Sequence, residues 1–141
     1  MAVRVRLRIR ARASGREVVT SALVNSGYEV DEPEILLPRR LVDYLGIAVE
    51  APHARPLIYE TPTGLYRLLM TPKAVDVHLD DLCIEVKGVN VAVSEFEREV
   101  LLSDKLTSAL GIQLLDVAEG VWRHRDDGPE VRRQSVGPEY W

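Results

Sequence analysis

The side chains best suited to chemistry in this chain are three histidines and one cysteine, and they lie far apart. His53, His78, His124 and Cys83 show none of the short spacings with which proteins build metal sites. A lone cysteine among strand-forming residues is more often a small core residue than a nucleophile. No glycine-rich phosphate loop is present either. The sequence therefore predicts neither a metal ion nor a cofactor.

A stripe of arginines is the second candidate. Arginine occupies every second position from residue 4 to residue 12, in alternation with apolar residues. Such a strand face could bind a phosphate backbone. It could equally be a solvated outer face that pairs with Glu17 and neighbouring acids across a hairpin. Because the net charge is −4, we favour the solvated face and keep nucleic-acid binding through this stripe as an alternative.

The third candidate is a polar turn, Asn25-Ser26-Gly27, which ends a predicted β-hairpin. Strict alternation predicts a first strand from residue 3, and Ser14-Gly15-Arg16 predicts the turn into a second strand that ends at Val24. Three turn-favouring residues then interrupt the chain. The hairpin over residues 3–24 would thus hold the turn at its open end.

The remaining elements predict a mostly β chain with two short helices. Pro38 starts a helix that ends at Gly46, and Ser103 caps a second helix that ends at Gly111. A hairpin over residues 57–70 has its tip at Thr61-Pro62-Thr63-Gly64. Further strands are predicted over residues 34–37, 74–79, 83–94, 100–102 and 112–117.

An internal repeat narrows the fold. Residues 35–47 align without gaps with residues 100–112: each copy has an apolar triplet, a helix-starting residue, leucines at matching places and a terminal Gly-Ile. Any strand–helix unit could show part of this pattern, but the agreement at both ends makes coincidence a poor explanation. Two copies indicate an internal duplication rather than a solenoid.

These features together resemble the retropepsin-like aspartic proteases, in particular single-domain archaeal and bacterial members. The family fold is a closed acid-protease β-barrel with a flap hairpin, and the resemblance covers roughly residues 3–117. The family's Asp-Thr/Ser-Gly loop corresponds to Asn25-Ser26-Gly27, and its flap tip corresponds to Thr61, Pro62, Thr63 and Gly64. Its apolar pair before the second helix corresponds to Leu101 and Leu102, with Ser103 in place of glycine.

The resemblance implies a homodimer with a peptide or protein ligand in the groove between the subunits. Aspartic proteolysis needs two carboxylates that share a proton, one from each subunit. Asn25 is nearly isosteric with aspartate but cannot hold the charge or accept the proton of water. We therefore expect a catalytically inactive peptide-binding module, in which Ser26 and Gly27 keep the structural role of the loop.

Three routes to an active endopeptidase remain as the alternative. Asn25 could deamidate, a partner subunit could supply an aspartate, or Glu29 or Asp31 could substitute for the missing carboxylate.

The sequence divides into a barrel domain over residues 1–118 and a charged tail over residues 119–141. The tail combines glycine, proline and charges of both signs, so we expect it to be mobile or to contact a partner. One cysteine excludes an internal disulfide bond, and no apolar run is long enough to cross a membrane. We expect a cytoplasmic protein.

Overall fold

The chain folds into a mostly β structure, seen in a computed structural model that describes residues 2–141. Its elements in chain order are β1 Arg4–Ala11, β2 Glu17–Val24, β3 Glu34–Pro38, α1 Arg39–Leu45, β4 Arg55–Thr61, β5 Gly64–Leu79, β6 Ile84–Ser94, β7 Val100–Leu102, α2 Asp104–Ala109, β8 Ile112–Asp116, β9 Val121–His124 and β10 Arg133–Gln134. The predicted fold class, mostly β with two short helices and a closed barrel, is confirmed at this level.

Six strands close into the barrel. The hydrogen-bonded order is β1-β2-β7-β3-β6-β5, and pairing of β5 with β1 completes the ring. Strand β4 lies outside the ring and pairs only with the first half of β5, so the two form a protruding hairpin. A separate sheet in the order β10-β9-β8 follows the second helix.

The barrel interior is filled by alternate residues of each strand. In β1 the apolar residues are buried and the intervening arginines face outward, as the alternation predicted. Burial of each large aliphatic side chain contributes about 1.5–3 kcal/mol. The largest fully buried side chains include Leu7, Ile9, Ile35, Leu37, Leu41, Leu45, Leu102, Leu106 and Leu110.

The internal repeat extends to the whole barrel. Strands β3 and β7, which begin the two copies, pair with each other in antiparallel fashion. Each then pairs in parallel with the strand beside it, β3 with β6 and β7 with β2. Those strands pair with β5 and β1, which pair with each other. The ring therefore reads as β1-β2-β3-α1 followed by an equivalent β5-β6-β7-α2.

Strand β5 differs from the sequence prediction. The strands predicted over residues 57–70 and 74–79 were to be separate, but β5 runs without interruption from Gly64 to Leu79. Its register shifts between Thr71 and Val75, where Lys73 has a positive φ of 48°. A bulge of this kind accommodates Pro72 inside a strand and bends it, so one strand serves both the hairpin and the barrel.

The segment over residues 119–141 lies against the barrel. Its strands β9 and β10 extend the sheet begun by β8, and Trp122 packs into the main core with 4% of its surface exposed. The carboxylate of Asp127 accepts two hydrogen bonds from the Arg133 guanidinium, each 2.8 Å long. That pairing holds the pKa of Asp127 well below its ordinary value.

Gly111 provides a test of the duplicated helix end. It has a φ of +76°, and an added methyl group would collide with the buried ring of His124. We expect Gly111→Ala to lower the free energy of unfolding by about 1–3 kcal/mol. Gly137→Ala, where φ is ordinary and the space is open, is the control and should change it by less than about 0.5 kcal/mol. Urea denaturation measures the free energy of unfolding of both variants, and equal losses in the two would contradict this account.

Candidate functional site

The Asn25 turn lies where β2 leaves the barrel wall. The backbone N–H of Asn25 donates to the carbonyl of Leu102 at 3.2 Å, so the β2–β7 ladder continues one residue beyond the strand. The Asn25 Oδ1 accepts a hydrogen bond from the N–H of Gly27 at 3.2 Å. All three residues of the turn are exposed. The amide oxygen of Asn25 thus accepts its hydrogen bond from within the same turn.

The apolar pair of β7 supports the turn from both sides of the sheet. Leu102 is fully buried in the barrel interior, whereas Leu101 points to the outside. Leu101 pairs with Leu23 of β2 and with Leu36 of β3. Successive residues in a strand point to opposite faces, so Asn25, two residues after Leu23, lies on the same outer face.

A second hydrophobic cluster covers that face, and we call it the outer cluster. Its buried members are Leu36, Ala92 and Leu101, and partly buried side chains packed against them are Leu23, Tyr28, Tyr59 and Leu68. Tyr59 and Leu68 come from the two strands of the protruding hairpin. The hairpin therefore folds over the face that carries the Asn25 turn.

The predicted flap tip occupies the end of this hairpin. Thr61 pairs with Gly64, and the Thr61 hydroxyl donates to the Gly64 carbonyl at 3.0 Å. Thr63 shares a hydrogen bond with the Tyr66 hydroxyl. Thr61, Pro62, Thr63 and Gly64 are all exposed. The hairpin residues that contact the outer cluster lie further back, at Tyr59 and Leu68.

Ser103 ties three elements together beside the turn. Its hydroxyl accepts hydrogen bonds from the backbone N–H of Glu34 at 3.1 Å and of Leu106 at 3.2 Å. The side chain therefore caps α2 and also fixes the first residue of β3. Its own N–H donates to the Glu34 carbonyl. Ser103 thus has a structural role of its own.

Glu34 is a buried carboxyl group that sequence reasoning did not single out. It is 4% exposed and shares the outer face with Leu36, two residues later. The Tyr28 hydroxyl donates to its Oε2. Burial raises the pKa of Glu34, although the hydrogen bond from the Tyr28 hydroxyl opposes this effect. No local pattern marks it, because β3 shows no alternation and all five of its residues are buried.

Two tyrosines enclose this carboxyl group. The Tyr28 and Tyr59 rings meet edge to face, with 6.4 Å between their centroids. Among residues 2–141, the buried Tyr59 hydroxyl has no hydrogen-bond partner. Burial and the nearby Glu34 charge raise the pKa of both tyrosines. The two rings fill the space beside the Asn25 turn with the protein's own side chains.

The carboxylates predicted as substitutes lie on the loop after the turn. Glu29 and Asp31 are both exposed. Asp104 binds this loop instead, through a hydrogen bond from the N–H of Val30 to its Oδ1 at 3.3 Å. The carboxyl group that the fold buries on the face of Asn25 is that of Glu34.

The arginine stripe is paired along most of its length. Arg4 binds Glu99 at 2.7 Å, and the other pairs are Arg6 with Glu139, Arg8 with Glu17 and Asp80, and Arg12 with Asp76. These acids neutralise the face that a phosphate backbone would need. In residues 2–141 no group of histidine, cysteine or acidic side chains is arranged to hold a metal ion. Nor does that part of the chain contain a helix long and apolar enough to span a membrane.

No protein-family model matches this chain, and no curated protein sequence matches it.

Ser103→Ala tests the tie between β3, β7 and α2. Two buried N–H groups would lose their acceptor, so we expect the free energy of unfolding to fall by about 1–2 kcal/mol. Ser108→Ala is the control, because Ser108 lies exposed at the end of the same helix; it should change stability by less than about 0.5 kcal/mol. Thermal or urea denaturation measures both variants. An unchanged free energy of unfolding in Ser103→Ala would show that the hydroxyl is dispensable.

Glu34→Gln tests the buried carboxyl group through pH. The pKa of Glu34 is raised above its ordinary value of 4.5, so its stabilising contribution is complete below that value and is lost as pH rises through the folded-state pKa. Glutamine stays neutral throughout. We expect the variant to gain stability relative to the wild type as pH rises from about 4 to about 8. Glu29→Gln is the exposed control, and parallel profiles for wild type and Glu34→Gln would refute the prediction.

Proposed function

We propose that this protein is a catalytically inactive relative of the retropepsin-like aspartic proteases that binds an extended peptide as a homodimer. The observation that carries the proposal is the Asn25 turn itself. It extends from a barrel strand, is supported by an apolar pair and lies on a face over which a hairpin folds. Where a protease would need a carboxylate, the turn carries an amide whose oxygen is already used by Gly27.

The hairpin is the proposed flap, and the outer cluster is the proposed floor of the groove. An extended segment laid between them would find apolar contacts on both sides and unpaired backbone groups along β4. In the single subunit the tyrosine pair fills much of this space. Ligand binding therefore requires the hairpin and its Tyr59 to move away from Glu34.

The exposed surface of the hairpin is a candidate for contact with a second subunit or with the ligand. Its outer surface exposes Ile58 to 71% and Leu65 to 68%, and its far end exposes Tyr66 to 45%. Large apolar side chains grouped on a protruding element are typical of a surface that is covered in use. In the proposed dimer the outer surface of the hairpin faces the second subunit, and the exposed Asn25 turn faces the ligand.

Asn25 substitutions test this proposal. We expect wild-type protein to cleave no peptide at acid or neutral pH and to bind extended peptides from a library, with sedimentation showing a dimer. Asn25→Asp restores the carboxylate pair in the dimer, and cleavage at acid pH should rise about 10²–10⁴-fold above background. Gln113→Glu makes the same chemical change at an exposed site and should have no effect.

Two results would count against the proposal. Wild-type turnover that Asn25→Ala abolishes would support the alternative of an active endopeptidase. Peptide binding without any gain of cleavage in Asn25→Asp would show that the groove lacks protease geometry.

A further inference from the structure

The barrel wall has a gap that the last residues of the chain fill. The ladder between β2 and β7 includes only Ala22 to Val24 on the β2 side. The edge of β2 before Ala22 therefore lacks a strand partner on that side. Residues 138–141, which we call the strap, lie along this edge and form the contacts that a strand would otherwise make.

Glu139 is the first anchor of the strap. Its backbone N–H donates to the Ser21 hydroxyl at 2.8 Å, and its carboxylate accepts from the Ser21 backbone N–H at 3.2 Å. The same carboxylate oxygen pairs with the Arg6 guanidinium at 3.2 Å. A side-chain carboxylate thus takes the place of a strand carbonyl, and its charge strengthens the bond.

Trp141 is the second anchor. Its backbone N–H donates to the Arg98 carbonyl at 2.8 Å, just before β7 begins. Its indole N–H donates to the Thr20 hydroxyl at 3.0 Å, and the ring packs against the main core. Between the anchors, the Tyr140 ring lies under the Arg98 guanidinium at 5.3 Å. A glutamate and a tryptophan two positions apart are therefore the side chains that bind this edge.

The edge is buried although it is polar. Thr20 is 0% exposed and Ser21 is 1% exposed, yet Ser21 pairs across the sheet with the outward-facing Arg6. The strap itself is peripheral, since Tyr140 remains 59% exposed and Gly137, just before it, has open space around it. Of the strap residues only Trp141 packs against the main core, so release of the strap would uncover the β2 edge and withdraw one indole from the margin of the core.

We propose that this edge of β2 is a docking site for an extended segment of a partner protein that carries glutamate two positions before tryptophan, and that the strap fills the site in cis. The partner is defined by the chemistry of the strap. It must offer a carboxylate to the Ser21 N–H and Arg6, and an indole to Thr20. This site is separate from the groove beside Asn25 and does not depend on the function proposed for that groove.

The test uses the full chain with its own anchors removed. The variant Glu139→Ala/Trp141→Ala leaves the β2 edge intact and unfilled. The probe is a fluorescein-labelled, amidated peptide with the sequence of residues 136–141, followed by fluorescence anisotropy. We expect saturable binding to the variant and at least about 10-fold weaker binding to wild type, whose strap competes. A probe with glutamine for glutamate should bind about 10-fold more weakly.

Control variants separate the possible results. Glu130→Ala, at an exposed site, should behave as wild type, and Asn25→Ala in the strap-deficient variant should leave probe binding unchanged. A folded variant, judged by circular dichroism, that fails to bind the probe would overturn the proposal. If the double variant does not fold, Trp141→Ala alone is used with the same criterion. If the wild-type protein self-associates and these substitutions abolish the association, the site binds a second copy of this chain. That result would also overturn the proposal.

Discussion

A strand of three residues holds this structure closed. Strand β7 lies between β2 and β3, and without its pairs the six-stranded ring would open into a sheet. Its central residue, Leu101, points outward and its neighbours point inward. Ser103 follows directly and joins β3 to α2. The turn, the outer cluster and the buried carboxyl group all take their positions from this short strand.

The duplication shows how the Asn25 turn is held together. Strand β6 is the equivalent of β2, and the residue that corresponds to Asn25 is Ser94. The Ser94 hydroxyl accepts a hydrogen bond from the N–H of Phe96 at 3.2 Å, as Asn25 accepts one from Gly27. Both turns therefore use a side-chain oxygen to bind the N–H two residues ahead. An amide meets that requirement as well as a carboxylate does.

Local patterns predicted most barrel strands and both helices, because β1 alternates cleanly and the helices begin and end with strong signals. The closure of the strands into a barrel was expected only from the family resemblance. Gly46 and Gly111 both adopt positive φ at the predicted helix ends. The long strand β5 was missed because proline usually marks a break, whereas a bulge at Lys73 carried the strand through. Strands β9 and β10 were missed because their sequence is charged and their pairing is set by tertiary contacts.

Only part of the candidate site could be recognised in the sequence. The polar turn and the hairpin could be found from residue types and spacing, and the structure brings the body of the hairpin over the face of the turn. Glu34 was overlooked because a glutamate is expected to be exposed, and only its tertiary contacts with Tyr28 and Ser103 show that it is buried. The contacts of Glu139 with β2 join residues 118 positions apart, a separation that no local pattern encodes.

The location of the two tryptophans has a practical consequence. Trp122 lies in β9 and Trp141 in the strap, so both indoles follow the barrel strands in sequence. Intrinsic tryptophan emission therefore reports on the chain after α2, whereas far-ultraviolet circular dichroism reports mainly on the barrel. Unfolding curves recorded with the two signals would coincide only if the terminal segment and the barrel melt as one cooperative unit.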